Sequence, residues 1–141
     1  MTSPVLPFFF HRTPHPTSLD NRSWSTGVTP SVYDGVARPG AIARAGSGPS
    51  FVSAVIEECT RVATAAGYPP APDMADLIRG MFSQTESTYG PSMLIDIEDG
   101  RPTEGEHTIG DMAGYAAVSV PILSAALCNL QVYEINRNDP R

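Results

Sequence analysis

The apolar positions of residues 1–45 follow no sustained period of 2 or 3.6, and from Ser50 a helical period begins. Val52, Val55, Ile56, Cys59, Val62, Ala63 and Ala66 fall on one stripe of a 3.6-residue helix, with Glu57, Glu58 and Arg61 facing away. Gly67, followed by Pro69 and Pro70, ends that helix. Pro72 suits a first helical position, and the segment it opens puts Asp73 and Asp76 near the positive end of the dipole. Leu77, Ile78, Met81 and Phe82 continue it, weakened slightly by Gly80. Pro91 opens a short amphipathic third segment through Met93, Leu94 and Ile97, closed by Gly100, with Ser92, Asp96 and Asp99 on its opposite face. A fourth helix covers roughly Glu106 to Ala116 with Ile109, Met112, Ala113 and Ala116 inward. The last starts near Pro121 and buries Leu123, Ala126, Leu127, Leu130 and Tyr133.

The only β-branched alternation nearby, Val118, Val120 and Ile122, is short and broken by Pro121. The expectation is therefore an all-α bundle of five helices over residues 46–137, preceded by a disordered or non-native tail over residues 1–45. Its core is expected along a seam of Val55, Ile56, Cys59, Leu123, Leu127 and Leu130.

Composition sharpens the division. Residues 1–50 hold seven of the fourteen prolines and four arginines against two acids, whereas residues 51–141 set thirteen acids against five arginines. Pairs such as Thr29-Pro30 and Arg38-Pro39 bias the preceding residue away from helix. The acidic domain repels phosphate backbones, and no basic cluster is interleaved with aromatics, which argues against nucleic acid as a partner. Pro7-Phe8-Phe9-Phe10 lacks the flanks of a signal peptide, and no apolar run approaches the roughly 18 residues of a membrane span. A cytoplasmic location without membrane contact follows by default. Cys59 and Cys128 have no Cys or His at ligand spacing and read as packed thiols. His11 and His15 have helical metal-ligand spacing, but Pro14 and Pro16 bracket the second, so no metal is expected. His107, beside Glu106, reads as a surface residue at a helix start. All nine basic residues are arginine, so a mechanism needing an ammonium must find it elsewhere.

The stretch from Tyr89 to Glu104 carries most of the candidate chemistry. Ser92 sits at a helix N-terminus, where its hydroxyl and nearby free N–H groups can hold a carboxylate. Glu104 follows a Gly-Arg-Pro turn that can present its carboxylate toward the same place. On residue types alone, Ser92 reads as a cap and Glu104 as a solvated loop acid.

Pro91-Ser92-Met93, Asp96-Ile97, Gly100-Arg101-Pro102-Thr103-Glu104, Glu106-His107, Ile109-Gly110-Asp111-Met112, Pro121-Ile122-Leu123 and Asn129 through Glu134 occur in an order that resembles the C-terminal domain of ketopantoate reductases. The resemblance covers about residues 45–137 and is most specific over 91–112. It implies an all-helical domain that completes the substrate pocket of an NADPH-dependent oxidoreductase reducing 2-dehydropantoate to pantoate, the partner being a nucleotide-binding Rossmann domain or a second copy in a homodimer. It further implies that Ser92 contacts the polar end of the small-acid substrate and that Glu104 contacts the substrate's polar groups beside the cofactor, as a catalytic-site residue.

The departures bear on activity. The family's general acid is a lysine, and this chain has none. No Gly-x-Gly-x-x-Gly after a strand precedes residue 50, so no NADP is expected to bind this chain alone. Between Met112 and Pro121 the family's basic helix end and Gly-Val turn are shortened and replaced by Ala113 to Val120. Two readings follow: a truncated, inactive C-terminal half of a pantothenate-pathway reductase, or a non-catalytic helical module for protein interaction or small-acid binding.

Overall fold

A computed structural model describes residues 38–90, 92–115 and 117–139. These form α1 (Pro39–Arg44), α2 (Gly48–Ala65), α3 (Met74–Phe82), α4 (Ser92–Glu98), a π-helical turn π1 (Glu106–Gly110) running into α5 (Asp111–Tyr115), and α6 (Pro121–Asn138), with no strand among the described residues. The all-α architecture read from the periodicity is the one observed.

α2 is the central element, touching α1, α3 and α6. Its inward stripe is the expected one: Val52, Val55, Ile56, Cys59, Val62 and Ala63 are buried. Removing such side chains from water contributes about 1.5–3 kcal/mol for each large aliphatic group. The helix stops where Gly67 adopts φ 89°. There the Tyr68 N–H donates to the Ala63 carbonyl (2.8 Å) and the Gly67 N–H to the Thr64 carbonyl (3.0 Å). This 6→1 and 5→2 pair satisfies carbonyls that the helix end would leave bare. The same device closes α4, where Gly100 has φ 69°. Arg101 N–H reaches the Asp96 carbonyl at 2.7 Å and Gly100 N–H the Ile97 carbonyl at 3.1 Å.

Cys59 is buried as expected, but Cys128, read as a packed thiol, is exposed, and four further expectations need correction. Glu58, placed by periodicity on the outer face of α2, is only 1% exposed. Its carboxylate accepts hydrogen bonds from the N–H groups of Leu123 (2.8 Å) and Ile122 (3.2 Å) at the start of α6. A charge turned inward is stable there because the free N–H groups and positive dipole end of another helix receive it. Leu127, expected in the core, is only half-buried, whereas Leu123 and Leu130 are buried as expected. The fourth helix does not begin as an ordinary α-helix but as π1, with the buried Thr108 donating its hydroxyl to the carbonyls of Glu104 (3.0 Å) and Gly105 (3.4 Å). Here Gly105 lies against the Leu130 side chain so closely that a Cβ would collide with it.

The last correction concerns residues 38–45, expected to be disordered. They contain α1, whose Ile42 is buried in the core. The Arg38 guanidinium donates to the Glu98 carboxylate on α4, and Arg44 donates to the Thr85 carbonyl beyond α3. Pro39 at the first helical position is well placed, since φ is already set there. Residues 1–37, including His11 and His15, lie outside the described residues, as do Pro91 and Ala116.

Two stability predictions follow from this packing. Glu58→Ala leaves two helix-terminal amides bare and is expected to cost about 1–3 kcal/mol for each. Urea unfolding checks it: a loss below about 0.5 kcal/mol, the range of ordinary surface substitutions, would mean that α6 is anchored by other contacts. Leu123→Ala is expected to cost about 2–5 kcal/mol, and Leu127→Ala clearly less because its site is partly open. Equal losses in the same titration would contradict the partial exposure of Leu127.

Candidate functional site

The loop from Gly100 to Gly105 is held by the C-terminal half of α6. The Tyr133 hydroxyl donates to the Arg101 carbonyl at 2.7 Å, with longer approaches to the carbonyls of Ile97 (3.5 Å) and Asp96 (3.4 Å). One residue on, the Glu134 carboxylate accepts the Thr103 N–H through one oxygen (2.6 Å) and the Arg137 guanidinium through the other (2.9 Å). From its own side, Arg101 folds back on α4, donating from Nε to Asp96 (2.9 Å) and pairing through Nη1 with Asp99 (3.1 Å). Exposed ion pairs of this kind add little energy singly but restrict the loop's conformations together.

The Thr103 amide, then desolvation acting the other way, then Arg137 act on the Glu134 carboxyl, and the balance holds its pKa below the usual glutamate value of 4.5. The ionised form is the one the loop amide binds.

Beyond Thr103 the chain enters π1 through the main chain of Glu104. Its carbonyl accepts from the N–H groups of His107 (3.1 Å) and Thr108 (3.0 Å), while the residue itself remains exposed. Gln131 on α6 donates from its amide to the Glu106 carboxylate at 3.0 Å, closing the seam on the other side of the turn. Glu104 therefore stands at the end of a held loop, and its own part in these bonds is through its backbone carbonyl.

Ser92 opens α4 and is exposed as well. α4 and the Gly100–Thr103 loop are the segments that join it to Glu104. His107 is exposed at the start of π1. Sequence reasoning did not assign Tyr133, Glu134 and Arg137 to the loop. The signals available were the i,i+3 spacing of Glu134 and Arg137 and a tyrosine beside them, which become informative only once α6 is known to pass the loop.

A recess of about 160 Å³ lies elsewhere, between α2 and the approach to α3, walled mainly by Ile56, Cys59, Ala63, Met74 and Ile78. It contains neither Ser92 nor Glu104 and has no charged group in its lining, so its chemistry is that of packing. Among the described residues no group of three His, Cys, Asp or Glu is gathered as a metal would require. Also among them, no helix is long and apolar enough to cross a membrane.

Comparison with known proteins adds a family and a fold. Residues 30–134 match the family described as Ketopantoate reductase PanE/ApbA C terminal. The crystal structure of 2-dehydropantoate 2-reductase from Methylococcus capsulatus superposes with a TM-score of 0.65 at 22% identity, over 84% of this chain and 44% of that one. This chain thus spans less than half the length of that reductase, and at such identity the likeness speaks for the fold alone. No curated protein sequence matches.

The Glu134 contact makes a pH prediction. A carboxyl whose folded value is depressed contributes stability that is present above its unfolded value, near 4.5, and is lost as pH falls through the lower folded value. Glu134→Gln should therefore flatten the acid limb of the stability profile below about pH 4.5 relative to the parent chain, followed by circular dichroism during urea unfolding. Parallel acid limbs for the two proteins would show that the Thr103 amide does not discriminate between the charged and neutral forms.

Proposed function

This chain belongs to the ketopantoate reductase C-terminal family, and we propose that it is the substrate-facing helical half of a 2-dehydropantoate reductase-like oxidoreductase. The observation that carries this reading is the clamped loop: Tyr133 and Glu134 hold Arg101 and Thr103 by their main chains and leave Glu104 exposed at the end. A preorganised carboxylate of this kind accepts hydrogen bonds from a substrate hydroxyl without first having to order its own loop. Ser92, at the opening of α4, supplies a donor for the polar end of a small acid. Both roles are assigned by their place in the family's Ser-Met and Thr-Glu motifs.

NADP belongs to the same proposal only as a group held outside these helices. A pyrophosphate is cradled where a strand runs into a glycine turn and a helix N-terminus. The described residues contain no strand, so they do not fit the cofactor. What hydride transfer leaves on the former keto oxygen is an alkoxide that needs a proton. The chain has no lysine to give one, and arginine holds its proton too tightly to donate usefully. Glu104 orients and hydrogen-bonds.

A non-catalytic small-acid-binding module is the second reading, favoured by that same absence of lysine. In either reading we place the protein in the cytoplasm.

Two measurements test the proposal. Titrating 2-dehydropantoate into the chain while following backbone amide resonances should shift signals around Ser92 and Arg101–Glu104, and Glu104→Gln should weaken the response several-fold; shifts confined to the recess beside Ile78 would sink it. With NADPH added, the isolated chain is expected not to turn over. A missing proton donor alone typically withholds about 10²–10⁴-fold, and two unoriented reactants about 7–11 kcal/mol. Pantoate formation above the enzyme-free rate that disappears in Glu104→Ala would overturn the assignment of both donors to groups outside this chain.

A further inference from the structure

The recess between α2 and the approach to α3 adjoins an apolar flank that the described residues leave open. Met74 lines the recess, and Leu77 and Met81 follow it at i+3 and i+7, so the three share one side of α3 within an arc of about 60°. Leu77 is 56% exposed and Met81 44%. Single exposed apolar side chains are ordinary, but these two extend a recess of about 160 Å³ whose other walls include Ile56, Cys59, Ala63 and Ile78. An aliphatic cavity of roughly 150 Å³ stays dry and takes up benzene. The recess therefore has the size and chemistry to hold one phenyl ring.

We propose that its occupant is the chain's own segment Pro4–Phe10, with one phenylalanine ring in the recess and the neighbouring side chains over Leu77 and Met81. Three observations select this segment. The first is composition. The run carries no charge, contains Val5 and Leu6, and holds three of the five phenylalanines in the chain, Phe8, Phe9 and Phe10. The other two, Phe51 and Phe82, are already part of the core or packed against it.

The second is where the tether ends. Residues 11–37 join the run to Arg38 at the head of α1, and α1 packs against both α2 and α3. At roughly a third of full extension that stretch spans about 30 Å, comparable with the length of the 18-residue α2, so the run can reach the recess. Attachment also makes the contact intramolecular, which needs less affinity than capture of a separate peptide. The third is charge. His11 and Arg12 follow the run directly, and the exposed Asp73 and Asp76 stand at the start of α3, beside Pro72 and Met74 of the recess wall. Asp76 pairs with Arg79 at 3.1 Å, so Asp73 is the acid that meets the incoming cation. Neither Ser92 nor Glu104 lines the recess, and the contact stands or falls independently of small-acid binding.

The test follows the methionine methyl resonances of the full chain. A phenyl ring in the recess shifts the Met74 and Met81 methyls upfield, and both should show nuclear Overhauser contacts to the ring protons of residues 8–10. Phe8→Ser combined with Phe9→Ser and Phe10→Ser should return both methyls to the ordinary methionine range. Met93 and Met112 are buried in the core and should not move, which establishes that the variant keeps its fold. Benzene supplies the converse measurement: it should bind the emptied recess of the variant several-fold more tightly than that of the parent, where a ring competes for the space. Should the variant fail to fold, the ring-to-methyl contacts in the unaltered chain decide by themselves. Met74 and Met81 methyls at the same positions in parent and variant, equal binding of benzene to both, or ring contacts that vanish on dilution, as for the segment of a second copy, would each overturn the proposal.

Discussion

The Glu58 carboxylate at the head of α6 is the contact on which the rest of the molecule depends. Val120, at the N-cap position, has no side-chain acceptor, and Pro121 has no N–H, so the two exposed donors left at that end are the amides of Ile122 and Leu123. Glu58 reaches across from α2 and takes both. A helix that cannot cap itself is thereby capped by its neighbour, and the capping fixes where α6 starts relative to the core. Arg61, 3.9 Å from the same carboxylate, lies at the solvent edge of the contact and gives the buried charge a second partner.

From that fixed end, the position of every residue along α6 follows. Leu123 enters the core beside α2, Leu130 packs on Gly105 and π1, and Tyr133 and Glu134 arrive beside the Gly100–Glu104 loop. The loop is consequently shaped by a scaffold in which the side chains of Ser92 and Glu104 have no part. Groups that bind a ligand are available to do so when the structure does not need them for itself. A tyrosine hydroxyl and a carboxylate both hold the loop by its main-chain atoms, so neither contact draws on the side chains of Ser92 and Glu104.

The elements were legible in the sequence because each long segment keeps one period and is closed by its own punctuation. Gly67 and Gly100 end α2 and α4 as read, each with positive φ, and Pro121 opens α6. The misreadings share a different cause. Glu58 is polar and sits where the periodic pattern turns outward, so nothing local announces that an uncapped helix sixty residues later needs it. α1 is six residues long and lies among prolines and glycines; its order comes from Ile42 in the core and from Arg38 and Arg44 reaching distant partners. Ser92 and Glu104 were candidates through their motif alone, while the residues that shape the loop between them were not legible, because a tyrosine and a glutamate on a helix face give no sign of the main-chain atoms they will meet.

Leu127 shows where periodicity itself runs out. A helix whose apolar residues cover only one side declares its inner face; α6 carries them on two, and its pattern fits either side turned inward. What breaks the tie is the Glu58 contact that fixes the start of α6, together with Gly105, which leaves a gap at π1 into which the Leu130 side chain fits. With that side inward, Leu127 is carried to the border of the core and Val132 and Ile135 to the open face. The partial exposure of Leu127 and the exposure of Val132 and Ile135 are therefore two results of one rotation, set by the contacts at Glu58 and Gly105.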